Sequence, residues 1–409
     1  MSKKIYCILT LFLVLLLSGF LPVIPGMAQP GSIIMVTTTV DGINQSGDCS
    51  LREALLAANT DTQVDACPAG SGDDTILLSS GVFQLTEIGQ LEDDGLTGDL
   101  DIYSNLKIYG GGVEHTKIDG GGSDRVFHIK GAYNVSLYNL TIQGGATPAE
   151  TNEGRGGGVL NVGGTLNLSG VKINANFAAW TGGGLDNFGG TVTLIDVTVT
   201  ENQATYGGGI NNDRYLYATR SLIAANHADV SGGGIDANSQ SQASLLNVTL
   251  SGNSADGNGG GIFTDNIMQL ANVTIVHNVP NGLVDQGTVR VVNSLFAQNG
   301  DANCAGNRQP SSEGGNLDDD ATCGPSGYIN PADALIGELT NNEGPTWTHS
   351  LLLGSPAIDA GNESACQAVD QRGAVRPADG NGDGIVVCDI GAFELNATFN
   401  TLYLPVIQG

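Results

Sequence analysis

Short runs of alternating apolar and polar residues recur along the chain, and each closes on asparagine. VKINAN, VTVTEN, SLIAAN, VTLSGN, VTIVHN and SLFAQN end on Asn176, Asn202, Asn226, Asn253, Asn278 and Asn299. Alternation of this kind predicts strands, with one side chain inward and the next outward. Between the runs stand triple glycines that start at Gly156, Gly182, Gly207, Gly232 and Gly259. Each triplet precedes one apolar residue: Val159, Leu185, Ile210, Ile235 or Ile262. The triplets advance by 26, 25, 25 and 27 residues. Repetition at that period marks a solenoid whose units bury their apolar faces only against their neighbours.

Two solenoids have this period. Leu194, Val197, Val199 and Asn202 fit the spacing of a leucine-rich repeat. That repeat wants a large aliphatic residue two places past the asparagine, where this chain has Ala178, Ala204, Ala228, Ala255 and Pro280. It also needs a convex segment, and GGGINNDRYLY carries no helical period. The pattern therefore predicts an all-β parallel β-helix, with about three short strands per coil stacked at roughly 4.8 Å. Glycine marks one corner, where positive φ or close backbone approach is needed. Asparagine marks another: it tolerates left-handed angles, and stacked side chains can hydrogen-bond along the column.

The pattern divides the chain. Residues 1–28 read as a secretory signal: basic MSKK, the apolar run IYCILTLFLVLLL, then Gly26 and Ala28 before the cut. Residues 29–100 read as an N-terminal cap, because solenoid ends need cover. Within the cap, CSLREALLAAN predicts a short helix with a Ser50–Glu53 capping box. Residues 101–300 carry the repeats, 301–395 form a C-terminal module, and 396–409 a tail suited to sorting. Export permits disulfides, and clustering pairs Cys49 with Cys67, Cys304 with Cys323 and Cys366 with Cys388.

Charge narrows the partners. Fifteen Lys and Arg stand against 42 Asp and Glu, a net −27. Such a surface repels nucleic acid, acidic membranes and polyanionic glycans unless a cation intervenes. The expectation is a monomer, extracellular or on the cell surface, that meets a membrane only through export or anchoring. Its partner would be an extracellular polysaccharide or a surface protein.

Chemistry is sparse. Asp186 and Asp236 hold the same place after their triplets, with Asn211 between them and Phe263 breaking the series. Paired carboxylates facing a glycosidic bond are what hydrolysis requires. The five histidines share no position in the repeat. DGNGDG, residues 379–384, resembles the start of an EF-hand loop: Asp379, Asn381 and Asp383 offer oxygens at alternate positions, which suits calcium. The closing acid falls at Asp389, one place early, and Ile390 stands where it should be. LDDDATC, residues 317–323, reads as a solvated loop.

CSLREALLAAN, followed by DDTILL, GDLDI and IDGGGSDRVFHI, resembles the exported CSLREA-domain proteins. GSPAIDAG, DQRGAVRP and CDIGAFE resemble the choice-of-anchor Q module, and the N-x-A…GGG-I repeat is similar to repeats of polymorphic outer membrane proteins. These resemblances imply an exported right-handed β-helix of the pectin-lyase-like fold, and they supply no activity. The reading of the whole is a structural, adhesive or glycan-binding surface protein without an evident catalytic site. The alternative is a β-helix polysaccharide lyase or glycoside hydrolase built on Asp186 and Asp236.

Overall fold

The structure is a computed structural model that describes residues 31–90, 92–147, 154–238, 240–330 and 333–399. The expected signal lies outside these residues, as do the last ten residues of the tail. The chain winds as a parallel β-helix. Each triple-glycine corner leads into the first column of strands: Val159–Val162, Leu185–Phe188, Ile210–Asn212, Ile235–Ala237 and Ile262–Thr264 pair in sequence, residue on residue. A second and a third column follow in every coil, for example Thr191–Ile195 and Thr198–Thr200. These two merge where Gln242–Ser251 and Ile267–Val276 run unbroken through both. No helix lies among the described residues of the repeats, so the leucine-rich repeat is excluded.

Inward residues stack into a continuous core. Val159, Leu185, Ile210, Ile235 and Ile262, the residues that follow the triplets, are fully buried one above another. The glycines act in two ways. Gly182 takes φ +65, and a Cβ there would lie 2.5 Å from Leu185 O. Gly183 is extended, but a Cβ would drive into the carbonyls of Gln203 and Gly208 in the next coil. One glycine thus makes the turn, and the next lets two coils touch.

The asparagine column is a buried ladder. Asn202 donates its backbone N–H (3.0 Å) and its Nδ2 (3.0 Å) to Asn226 Oδ1, and a second Nδ2 bond reaches back to Ile173 O (3.1 Å). Asn226, Asn253 and Asn278 repeat this arrangement, so each rung ties three coils together. The ladder residue does not itself make the left-handed turn. The exposed residue before it does: Ala175, Glu201, Ala225, His277 and Gln298 have φ between 53 and 59. The asparagine must keep both amide atoms in line with the stack, so the reversal falls on its neighbour.

The stack reaches beyond residues 101–300 on both sides. Ile33–Met35 pairs with Asp74–Leu77, which pairs with Leu106–Tyr109. At the other end Asn316–Asp318 pairs with Tyr328–Ile329. Helix α1, Leu51–Thr60, carries the expected capping box and packs against the first rungs. The three cysteine pairs form as clustering suggested, with Cα atoms 4.9, 4.7 and 6.0 Å apart. The acidic run 318–320 is exposed at Asp320, as a solvated loop would be, but not at Asp318. Asp318 is fully buried and accepts from Cys323 N (2.7 Å) and Asn303 Nδ2 (2.8 Å), and Asn303 in turn receives Asn299. These acids close the asparagine ladder where the repeats stop.

The C-terminal module lies along the flank of the stack rather than on its end. Thr249 donates to Gln371 Oε1 (2.7 Å), Ala392 N to Thr274 Oγ1 (2.9 Å) and Asn293 Nδ2 to Asn362 O (3.1 Å). Its interior joins an apolar cluster that includes Leu351, Ala357, Ile390 and Phe393 to a buried ion pair: Arg376 and Glu394 approach to 3.3 Å.

Candidate functional site

Three outward columns border a cleft on the first-column face. The floor is the second residue of each strand: Leu160, Asp186, Asn211, Asp236 and Phe263 pair in register. One wall is the residue just before each triplet: Arg155, Thr181, Tyr206, Ser231 and Asn258 follow one another across the coils. The other wall is the turn after each strand, where Phe188, Asp213, Asn238 and Asp265 stand. Among them Arg155, Tyr206, Asn211, Asp213, Asp236 and Asn238, together with Trp180 and Val230, line an open cleft of about 460 Å³. Trp180 and Phe188 are both nearly half exposed.

The walls reach across to the floor. Thr181 donates to Asp186, and Ser231 donates to Asp236 Oδ2 at 2.5 Å. Asn211 Nδ2 bridges Asp186 Oδ1 (3.0 Å) and Asp213 Oδ1 (3.2 Å), and Asn238 donates to Asp213. Arg155 Nη1 lies 3.8 Å from Asp186 Oδ2 and 3.5 Å from Asp213 Oδ2, with its guanidinium 4.3 Å over the Phe188 ring. Burial raises the Asp186 carboxyl to about 6, against the pull of Arg155 and the hydrogen bonds from Thr181 and Asn211. Burial also raises Asp236, to about 7; its Ser231 bond opposes the shift, and repulsion from Asp265, Asp213 and Asp186 adds to it.

The two aspartates singled out from the repeat therefore share one floor, separated by one strand. They differ in access. Asp236 borders the cleft, whereas Asp186 is fully buried beneath Thr181 and Arg155. Asp213 and the wall residues Arg155, Tyr206 and Ser231 were not read as site residues. The signal was present: they stand at fixed offsets from each triplet, but their types vary, and only the register shows that these offsets share a cleft.

The DGNGDG residues share a loop. Asn381 and Asp383 are exposed, and Asp379 is half-buried. Asp379 Oδ1 and Oδ2 accept from Gly382 N (2.6 Å) and Gly384 N (2.9 Å), and Asn381 Oδ1 accepts from Asp383 N (2.8 Å). Asp389 lies apart in role: it is buried and accepts from Asp359 N (2.8 Å) and Leu395 N (2.6 Å). Burial lifts its carboxyl to about 6.

No family model matches the chain, and no curated protein matches it. Among solved structures it is similar to the crystal structure of pectate lyase Pel9A, with a TM-score of 0.55 at 15% identity. The match covers 89% of this chain and 96% of that one. The likeness shows a right-handed parallel β-helix: the repeat predicted the β-helix, and its hand was what the family resemblance implied; at this identity the likeness shows the fold alone.

Proposed function

We propose that the chain is an exported β-helix that binds a neutral or amino-sugar polysaccharide in the cleft between Trp180 and Asn238. The cleft carries the reading. Exposed Trp180 and the Tyr206 wall offer apolar faces for sugar rings, and Asn211, Asp213, Asp236 and Asn238 offer hydrogen-bonding groups beside them. Charge sets the class of glycan. Asp213 and Asp236 line the cleft, Asp186 lies beneath it and Asp265 acts on Asp236, while Arg155 is the one cation among the described lining residues, in a chain of net −27. A polyuronate such as pectate, the substrate in the neighbour's name, would be repelled. Three disulfides suit the oxidising compartment that export reaches.

Affinity electrophoresis through gels containing neutral, amino-sugar or uronate polysaccharides tests this. Retardation by a neutral or amino polysaccharide, lost in Trp180→Ala, is expected. Retardation by none, or by uronates alone, ends the proposal.

One observation favours a second reading, hydrolysis. Asp236 borders the cleft with its carboxyl raised to about 7, where a carboxylic acid can still donate a proton in neutral solution. In that reading Asp236 is the acid, Asp213 at the mouth is the base, and Asp186 holds Arg155 in place. Release of oligosaccharides that Asp236→Asn abolishes would establish it; a retained polysaccharide that stays intact would dismiss it.

A further inference from the structure

We infer that Asp93, Asp101 and His128 form a site for a single divalent transition-metal ion, zinc being the natural occupant. The site lies on the same outward face as the cleft but in earlier coils. Asp101 pairs with His128 across the first column, and His128 pairs with Leu160, the start of the cleft floor. The sequence hid this because no triple glycine stands directly before the strands that carry Asp101 and His128; the triplets of these coils start at Gly110 and Gly120.

Asp101 Oδ1, His128 Nδ1 and one carboxylate oxygen of Asp93 all lie within 4.8 Å of one another. Asp101 and His128 are buried, at 1% and 9% exposure, whereas the Asp93 side chain is open to solvent. Asp101 Oδ1 and His128 Nδ1 are 3.1 Å apart, yet neither atom makes a hydrogen bond. The two atoms face each other as an ion pair, with Lys130 Nζ 4.0 Å from Asp101 Oδ1, and a bound cation would give both buried atoms a stronger partner. Ligands about 2.0–2.1 Å from a zinc ion stand a little over 3 Å from each other; Asp101 Oδ1 lies 3.1 Å and the exposed Asp93 Oδ1 3.7 Å from His128 Nδ1. The other Asp101 oxygen is fixed by Gly95 N (2.9 Å), so the first ligand is held without the metal. An imidazole in the set favours zinc over calcium, which takes oxygen ligands. The exposed side at Asp93 leaves room for a water as fourth ligand.

Lys130 is the competitor. Its Nζ lies 3.4 Å from Asp93 Oδ1 and 4.0 Å from Asp101 Oδ1. Its ammonium balances the acids when no metal is bound, and its side chain, a quarter exposed, can swing outward on a flexible stem. Removing it should therefore tighten binding.

The test is zinc titration of the full chain by calorimetry, with cobalt absorption as a second readout. Wild type is expected to bind one ion with the visible bands of a nitrogen- and oxygen-ligated cobalt site. His128→Gln and Asp101→Asn should weaken binding by more than about tenfold, since groups merely supporting a ligand already cost about that much. Lys130→Met should bind more tightly than wild type. Zinc binding that His128→Gln leaves unchanged, or none in either wild type or Lys130→Met, would show that Asp101 and His128 are only an ion pair. The Lys130→Met arm keeps the test decisive if a ligand variant fails to fold.

Discussion

Two polar columns climb this molecule side by side and obey different rules. The ladder from Asn176 to Asn299 places the same residue in every coil, each amide bonded to the next. The cleft floor, from Leu160 to Phe263, changes residue at every step and raises two carboxyls, Asp186 to about 6 and Asp236 to about 7. A column whose partners are its own copies must be uniform, because one break orphans two buried amides. A column that faces an opening is free of that demand and can vary with whatever occupies the opening. Uniformity here marks structure, and variation marks the surface where chemistry can be placed.

Substitution can break this contrast. Asn226→Ala should cost roughly 3 kcal/mol or more in chemical denaturation, since it strands buried groups on Asn202 and Asn253. Asn211→Ala, in the floor, should cost about 1 kcal/mol by the same measure, the worth of a typical hydrogen bond. Equal losses would show that the floor is as structural as the ladder.

Binding should follow the opposite order. Trp180→Ala should weaken polysaccharide retention about tenfold, equivalent to losing about 1.4 kcal/mol of ring contact, with little change in melting temperature. Asn226→Ala, where it remains folded, should retain the ligand.

Stability against pH sharpens the comparison further. Asp186 and Asp236 have folded-state pKa values near 6 and 7, above the ordinary 3.8. Groups raised in this way add stability that is complete below about pH 4, and that stability is lost as pH rises through 6 to 7. The chain should melt at a higher temperature at pH 5 than at pH 8. Asp236→Asn should reduce that difference, while a ladder substitution should leave it unchanged. A chain more stable at pH 8 than at pH 5 would contradict the burial of these carboxyls.

The smallest effect belongs to the 379–384 loop. Calcium there should raise the melting temperature by a few degrees and Asp379→Asn should remove the rise; equal melting with calcium and with chelator would dismiss that site.

Much of this was legible in the chain. The triplets and the asparagines fixed the coil length, the corners and the buried column, because a solenoid repeats its local chemistry at every turn. Asp186 and Asp236 could be placed on one face by counting from Gly182 and Gly232. Counting could not reveal that Thr181 and Arg155 cover Asp186 while Asp236 borders the cleft; both aspartates have the same sequence neighbours, glycines and one aliphatic residue. Nor could it show that Asp318 closes a ladder, since the run of acids in which it stands reads as solvent-facing until Asn303 is brought against it.

The sequence by itself determined the winding: period, strand order along the chain, inward face, disulfide partners and capping helix. All follow from local pattern, short loops and nearest-neighbour stacking. Tertiary structure alone decided which outward residues meet. The cleft floor and its two walls lie at three different offsets in each coil, Asp101 and His128 come from strands that no triplet directly precedes, and the C-terminal module docks on a flank about a hundred residues or more back along the chain. Such meetings depend on how whole coils face one another, and no local period encodes that.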